Sequence, residues 1–177
     1  MAEKKDANQN PMLEVVVDKV TLNIGVGQAG VELENAKTLL ERLSGSKAIE
    51  TLAKVRNPVF HIKKGDPIGA KTTLRGENAV DFVKKALKAK DFTLSKKSFD
   101  PYGNFSFGVS EYIEFPGAKY DPKIGMIGFD VCVSLRRKAG WRVSRRRVAK
   151  SSISKKHRLS REDGISFAQN KLGATVN

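Results

Sequence analysis

An α+β sandwich, with a mainly antiparallel sheet, helices packed on one face and a basic extension, is the fold class that three observations predict. Several segments alternate apolar and polar residues, as strands with one buried face do. Two or three other segments carry apolar residues at helical spacing. Buried strands and helices do not alternate regularly, which argues against a parallel α/β sheet and leaves one sheet face uncovered. At 177 residues the chain has the size of one domain, expected over 12–177 after a flexible tail at 1–11 that Pro11 closes.

The first element places Val16, Val20, Leu22 and Ile24 as apolar residues, with Thr21 and Asn23 between the last three. This predicts a strand with one polar face, broken by Gly25 and Gly27. A helix over Val31–Leu43 follows from Leu33, Ala36, Leu40 and Leu43, and Ser44-Gly45 ends it. A weakly patterned strand is expected near Lys47–Val55. Arg56–Gly69 holds two prolines and two glycines and reads as an exposed loop or extended hairpin. Lys71–Arg75 is a short β-prone run. Ala79, Phe82, Val83, Ala86 and Leu87 then give the cleanest helical pattern of the chain, with lysines on the opposite face. Phe105, Phe107 and Val109 alternate with Ser106 and Gly108. After a turn-rich connection over Pro116–Gly125, Ile127, Phe129, Val131, Val133 and Leu135 alternate strictly. Ser160 opens a C-terminal helix with Ile165, Ala168 and Leu172 inward and Asp163 placed for a capping box.

Charge is placed unevenly. The formal net charge is +14, from 33 Lys and Arg against 19 Asp and Glu. Arg136–Arg161 contains twelve of those cations and no acid, so the remaining 151 residues hold 21 against 19. A nearly neutral body thus carries one strongly cationic segment, which favours a polyanionic partner. Arg suits bidentate phosphate contact and base stacking. The expected phosphate-binding residues are Arg136, Arg137, Arg142, Arg145, Arg146, Arg147, Lys150, Lys155, Lys156 and Arg158. Trp141 either stacks on a base or anchors the segment. A membrane-surface helix needs an apolar stripe beside its cations, and Val143, Val148 and Ile153 are too sparse for one.

The single cysteine, Cys132, excludes an internal disulfide framework and fits a reducing compartment. No stretch approaches the roughly 18 apolar residues of a membrane span, and the polar start is no secretory signal. A cytoplasmic location is expected.

Residues 25–30 read Gly-Val-Gly-Gln-Ala-Gly, a literal dinucleotide-binding fingerprint, with Glu50 about twenty residues on. Thr21 and Asn23, however, put polar groups where a second helix layer would have to pack. Glu50 caps no clear buried strand, and no second βαβ unit follows. A tight strand-to-helix turn needing permissive backbone is the simpler reading. Cys132, His61 and His157 are too few and scattered for a zinc site, and Glu111 and Glu114 have no partner acid. No enzyme, metal, cofactor or small-molecule substrate is expected.

Longer runs resemble a known family. They are Lys19-Val20-Thr21-Leu22-Asn23-Ile24-Gly25-Val26-Gly27, Gly65-Asp66-Pro67-Ile68-Gly69-Ala70-Lys71 and Thr73-Leu74-Arg75-Gly76. Further on come Gly103-Asn104-Phe105-Ser106-Phe107-Gly108, Tyr120-Asp121-Pro122-Lys123-Ile124-Gly125 and Gly128-Phe129-Asp130-Val131. In this order they resemble the large-subunit ribosomal protein L-five family, and the 145–147 arginines with the His157 segment resemble its archaeal and eukaryotic branch. The resemblance implies a structural protein of the central protuberance. Its partners would be 5S ribosomal RNA, large-subunit ribosomal RNA, neighbouring ribosomal proteins and the elbow of P-site transfer RNA. The family's 5S-binding Asn and Thr fall on Asn23 and Thr73, while its usual Gln falls on Ser46, which reaches less far. Thr21, Lys47 and Arg75 complete the expected RNA-binding set. The transfer-RNA loop corresponds to about Val55–Lys64, with Lys54, Arg56, Asn57, His61, Lys63 and Lys64 as its contacts. A general RNA-binding protein outside the ribosome is the alternative, and a nicotinamide-dependent enzyme the third.

Overall fold

The computed structural model describes residues 10–177. The tail expected at 1–11 lies outside the described residues except at its end. There Asn10 accepts the Met12 amide and caps a 3-10 turn over Pro11–Leu13.

Among the described residues the strands and α-helices follow in chain order: β1 (Val15–Gly25), α1 (Val31–Ser44), β2 (Ile49–Leu52), β3 (Pro67–Leu74), α2 (Glu77–Lys88), β4 (Thr93–Leu94), β5 (Phe105–Val109), β6 (Phe129–Arg137), α3 (Arg142–Arg145), α4 (Arg161–Leu172) and β7 (Thr175–Val176). Five strands form one sheet in the order β2-β3-β1-β6-β5, and every pairing in it is antiparallel. The strand made first therefore sits at the centre. Its register sets Thr21 opposite both Thr73 and Cys132, and Asn23 opposite both Lys71 and Asp130.

Alternation decides the two faces. Val20, Leu22 and Ile24 of β1 are buried, as are Phe105, Phe107 and Val109 of β5 and Phe129, Val131, Val133 and Leu135 of β6. On this face α1 lies along β3 with Leu33, Ala36, Leu39 and Leu40 inward, and α2 covers β1 and β6 with Ala79, Phe82, Val83, Ala86 and Leu87. Each such large side chain contributes about 1.5–3 kcal/mol by leaving water. Phe115 ties the layers together, 4.9 Å from Phe82 and 6.1 Å from Phe129 between ring centroids. The α+β sandwich with helices on one face is the observed architecture.

Several boundaries differ from the sequence reading. β3 begins at Pro67 rather than Lys71, so Gly69 belongs to the strand and not to the preceding loop. Proline is tolerated as a strand's first residue, and a side chain at Gly69 would meet the Ile24 carbonyl at 2.6 Å. β6 runs two residues later than the apolar alternation implies. It gives up Ile127, whose carbonyl accepts the Tyr112 amide instead, and it carries Arg136 and Arg137 in the ladder. β4 and β7, two residues each and parallel, had no sequence signal.

The glycine motif lies between β1 and α1, as a nucleotide-binding turn would, but the neighbours of β1 are antiparallel. Its turn is held by the protein itself. The Val26 and Gly27 amides both donate to the Ile68 carbonyl, at 3.0 and 2.8 Å, and Gly27 stands at φ 90°. The permissive backbone is used for the turn, and the Val26 and Gly27 amides are engaged within the protein.

Candidate nucleic-acid interface

The sheet face away from α1 and α2 is polar. Lys71 and Thr73 of β3, Thr21 and Asn23 of β1, Asp130, Cys132 and Ser134 of β6, and Ser106 of β5 all lie on it, half-buried or exposed. The sequence-predicted Thr21, Asn23 and Thr73 are thus brought together by register, with Thr21 directly across from Thr73. Short side chains held by a hydrogen-bonded ladder lose little further freedom on binding a ligand. Arg75 is exposed just past the end of β3.

Ser46 and Lys47 occupy the link from α1 into β2. The buried Thr72 hydroxyl donates to the Lys47 carbonyl at 3.2 Å, which pins this link beside the strand that carries Thr73. Lys47 is exposed and Ser46 half-buried. The structure therefore gathers all six sheet-associated residues around β1, β3 and the edge beside them.

Asp130 and Cys132 share this face and were not among the expected contacts. The Cys132 thiol is pushed up from its ordinary pKa by partial burial and by the Asp130 charge, so it stays protonated at neutral pH. Alternation over 127–135 could have marked both residues as outward-facing.

The basic segment is folded against the far end of the same sheet. The Lys138 and Ala139 amides donate to the Glu14 and Met12 carbonyls at 2.9 and 3.1 Å. The Ser151 amide donates back to the Val143 carbonyl at 3.2 Å, and the His157 ring meets the Ala139 carbonyl at 2.7 Å. α4 closes the segment with a reciprocal capping box between Ser160 and Asp163. Gly164 in its first turn packs on Gly103, where an added Cβ would come within 2.2 Å of the Gly103 carbonyl oxygen.

Within the segment the expected phosphate-binding residues divide. Arg136 and Arg145 pair with Asp18, and Arg137 pairs with Asp163 at 3.2 Å. Arg137 also donates to the Leu13 and His157 carbonyls at 2.9 and 3.2 Å. The Nε of Arg146 reaches the Ala149 carbonyl and that of Arg158 the Ile153 carbonyl. Arg142, Arg147, Lys150, Lys155 and Lys156 are exposed. Trp141 is half-buried, and the Arg136 and Arg145 guanidiniums lie 4.5 and 5.0 Å from its ring centroid. That occupancy favours the anchor over base stacking, the choice the sequence left open.

The 54–64 loop is a small hairpin tip. Asn57 and Ile62 exchange backbone hydrogen bonds at 2.9 and 3.0 Å, and Asn57 Oδ1 accepts the Val59 amide. His61 closes the turn at φ 55°. Lys54, Arg56, His61, Lys63 and Lys64 are exposed and Asn57 is half-buried. Three apolar side chains missing from the expected contacts are also open to solvent: Val55 (76%), Val59 (80%) and Phe60 (69%).

Comparison with known proteins identifies the family. Residues 10–63 match the family model described as ribosomal protein L5. Residues 67–167 match the model that describes the C-terminus of the same ribosomal family. Both matched parts contribute strands to the single five-stranded sheet. The large ribosomal subunit protein uL5 of Archaeoglobus fulgidus is 49% identical, covering 98% of this chain and 96% of that protein. Its counterpart in Thermoplasma acidophilum is 47% identical over 94% and 98%, and that of Sulfolobus acidocaldarius 43% identical over 99% and 98%.

Proposed function

This chain belongs to the ribosomal protein L5 family and is a non-enzymatic structural constituent of the large ribosomal subunit in the cytoplasm; from that premise we propose that its open sheet face registers 5S ribosomal RNA. The observation that carries the proposal is the uncovered row of Thr21, Asn23 and Thr73, aligned by the β1–β3 register, with the basic segment fastened to the far end of the same sheet. Irregular RNA is recognised through backbone shape, 2′-hydroxyls and splayed bases, and short hydroxyl and amide groups on a rigid sheet suit those partners. The exposed cations at 142–156 supply the salt-dependent attraction to phosphate, while the sheet supplies placement. Large-subunit RNA and neighbouring proteins of the central protuberance share this environment. The 54–64 tip, apolar at Val59 and Phe60 and ringed by Lys54, Arg56, Lys63 and Lys64, meets the elbow of P-site transfer RNA.

The test is competition between 5S RNA and an unrelated folded RNA of equal length, at two salt concentrations. The wild type should keep its preference for 5S RNA at high salt, and the Asn23→Ala, Thr73→Ala pair should lose that preference while retaining low-salt binding of both RNAs. Equal losses for the two RNAs would discard the registration. Cys132 supplies a footprint, since it lies on the same face opposite Thr21: 5S RNA should protect it from a maleimide, and unrelated RNA should not.

A further inference from the structure

Asp18 stands out among the acids because the sheet has been distorted to place it. The β1–β6 register slips between Val17 and Lys19, so Asp18 is the extra residue of a β-bulge, a feature that re-aims a side chain. Its side chain is only 9% exposed, and a carboxylate held that far from water needs charged partners. Arg136 Nε donates to it at 3.0 Å, and an Arg145 terminal nitrogen donates to its other oxygen. Both guanidiniums then lie over Trp141. Arg136 also donates to the carbonyls of Arg137 and Lys138. One acid on β1 thereby joins the end of β6 to α3, at the root of the basic segment.

Resting on the RNA-binding reading above, we propose that Asp18 is a positioning residue for RNA recognition. It commits Arg136 and Arg145 as braces on either arm of Trp141, so that Arg142, Arg147 and Lys150 meet phosphates from set places. The consequence runs against simple charge counting. Replacing Asp18 with a neutral residue raises the net charge by one and releases two guanidiniums. Counterion release alone would then tighten binding to every RNA and steepen its salt dependence. Positioning requires the shaped partner to bind more weakly even though the protein has become more cationic.

The test uses full-length protein, with Asp18→Asn as a substitution of nearly equal shape. Arg145→Gln is the second variant, since Arg145 is exposed on a one-turn helix and its loss spares the core. Asp18→Asn should lower 5S RNA affinity about tenfold, whereas the unrelated RNA holds or gains affinity with a steeper salt slope. The double variant should be no worse for 5S RNA than the poorer single one, because both changes open the same brace. The near-UV circular dichroism of Trp141 in the free protein should weaken in each variant. Tighter 5S binding in Asp18→Asn, additive losses in the double variant, or an unaltered Trp141 signal would each overturn the proposal. A wild type with no preference for 5S RNA would instead refute the registration reading. The brace would then stand or fall on the Trp141 signal and the salt slope alone.

Discussion

The basic segment at 136–161 and the loop at 54–64 look alike as sequence: both are irregular, rich in Lys and Arg, and interrupted by residues that break regular structure. Folded, they differ sharply. The segment is fastened to the body through Asp18, Asp163 and the carbonyls of Met12, Leu13 and Glu14. The loop is held only by bonds within 53–66, among them the Asn57–Ile62 pair, the His61 amide on the Pro58 carbonyl and the Lys63 amide on Asp66, and it leaves Val59 and Phe60 exposed. What separates them is acids and carbonyls far away in the chain, so local composition cannot tell a placed cationic surface from a free one.

The segment's anchorage is most vulnerable at α4. Gly164→Ala drives a methyl into the Gly103 backbone, an overpacking that costs about 1–3 kcal/mol. Urea unfolding should register that loss, while Phe60→Ser in the loop stays within about 0.5 kcal/mol of wild type. A Gly164→Ala protein of unchanged stability would mean that the helix does not close the segment against the 100–103 turn.

Limited proteolysis sharpens the contrast next. Trypsin should cut at Lys54, Arg56, Lys63 or Lys64 at least about tenfold faster than anywhere in 136–161, despite the larger number of sites there, because the loop opens more cheaply. First cuts in 136–161 would erase the distinction. Asp163→Ala removes the side-chain half of the capping box, which accepts the Ser160 amide, and the partner of Arg137 and should cost about 1 kcal/mol, with faster tryptic cleavage confined to the segment.

The smallest effect concerns pH. Hydrogen bonding and attraction from Lys171 hold the Glu14 carboxyl below its ordinary value. A carboxylate whose pKa falls on folding contributes stability that is complete above its unfolded pKa and is lost as pH drops through the folded one. Glu14 lies where β1 meets the basic segment, so Glu14→Gln should flatten the acid limb of the stability curve and leave the loop's tryptic cleavage rate unchanged. An identical acid limb in the variant would show that the Lys171 pair contributes nothing measurable.

Much of the fold was legible because it depends on short-range periodicity. The α2 pattern named all five of that helix's buried residues, and the alternation over 127–135 found the face carrying Phe129, Val131 and Val133. The same alternation made Thr21 and Asn23 legible as outward-facing, whereas assigning them and Thr73 to RNA binding came from the family resemblance. The bulge was not. Val15-Val16-Val17 hides any alternation, and Asp18 finds Arg136 across 118 residues, a separation that leaves no local trace. The start of β3 was hidden behind Pro67 and Gly69, which read as turn residues unless the neighbouring carbonyl is known. The apolar tip of the loop has no sequence signal because exposure is a property of the folded surface.

The strand order has a consequence for synthesis. β1 emerges early from the chain, yet it pairs with Thr73 on one side and with Cys132 on the other. At about 5–20 residues per second of translation, roughly 5–20 s pass before its second neighbour exists. During that interval a central strand has an open edge able to pair with another nascent chain. The polar side chains of Asp18, Thr21 and Asn23 interrupt its apolar run, so residues of the proposed RNA face also break up the kind of continuous apolar strand that such pairing favours.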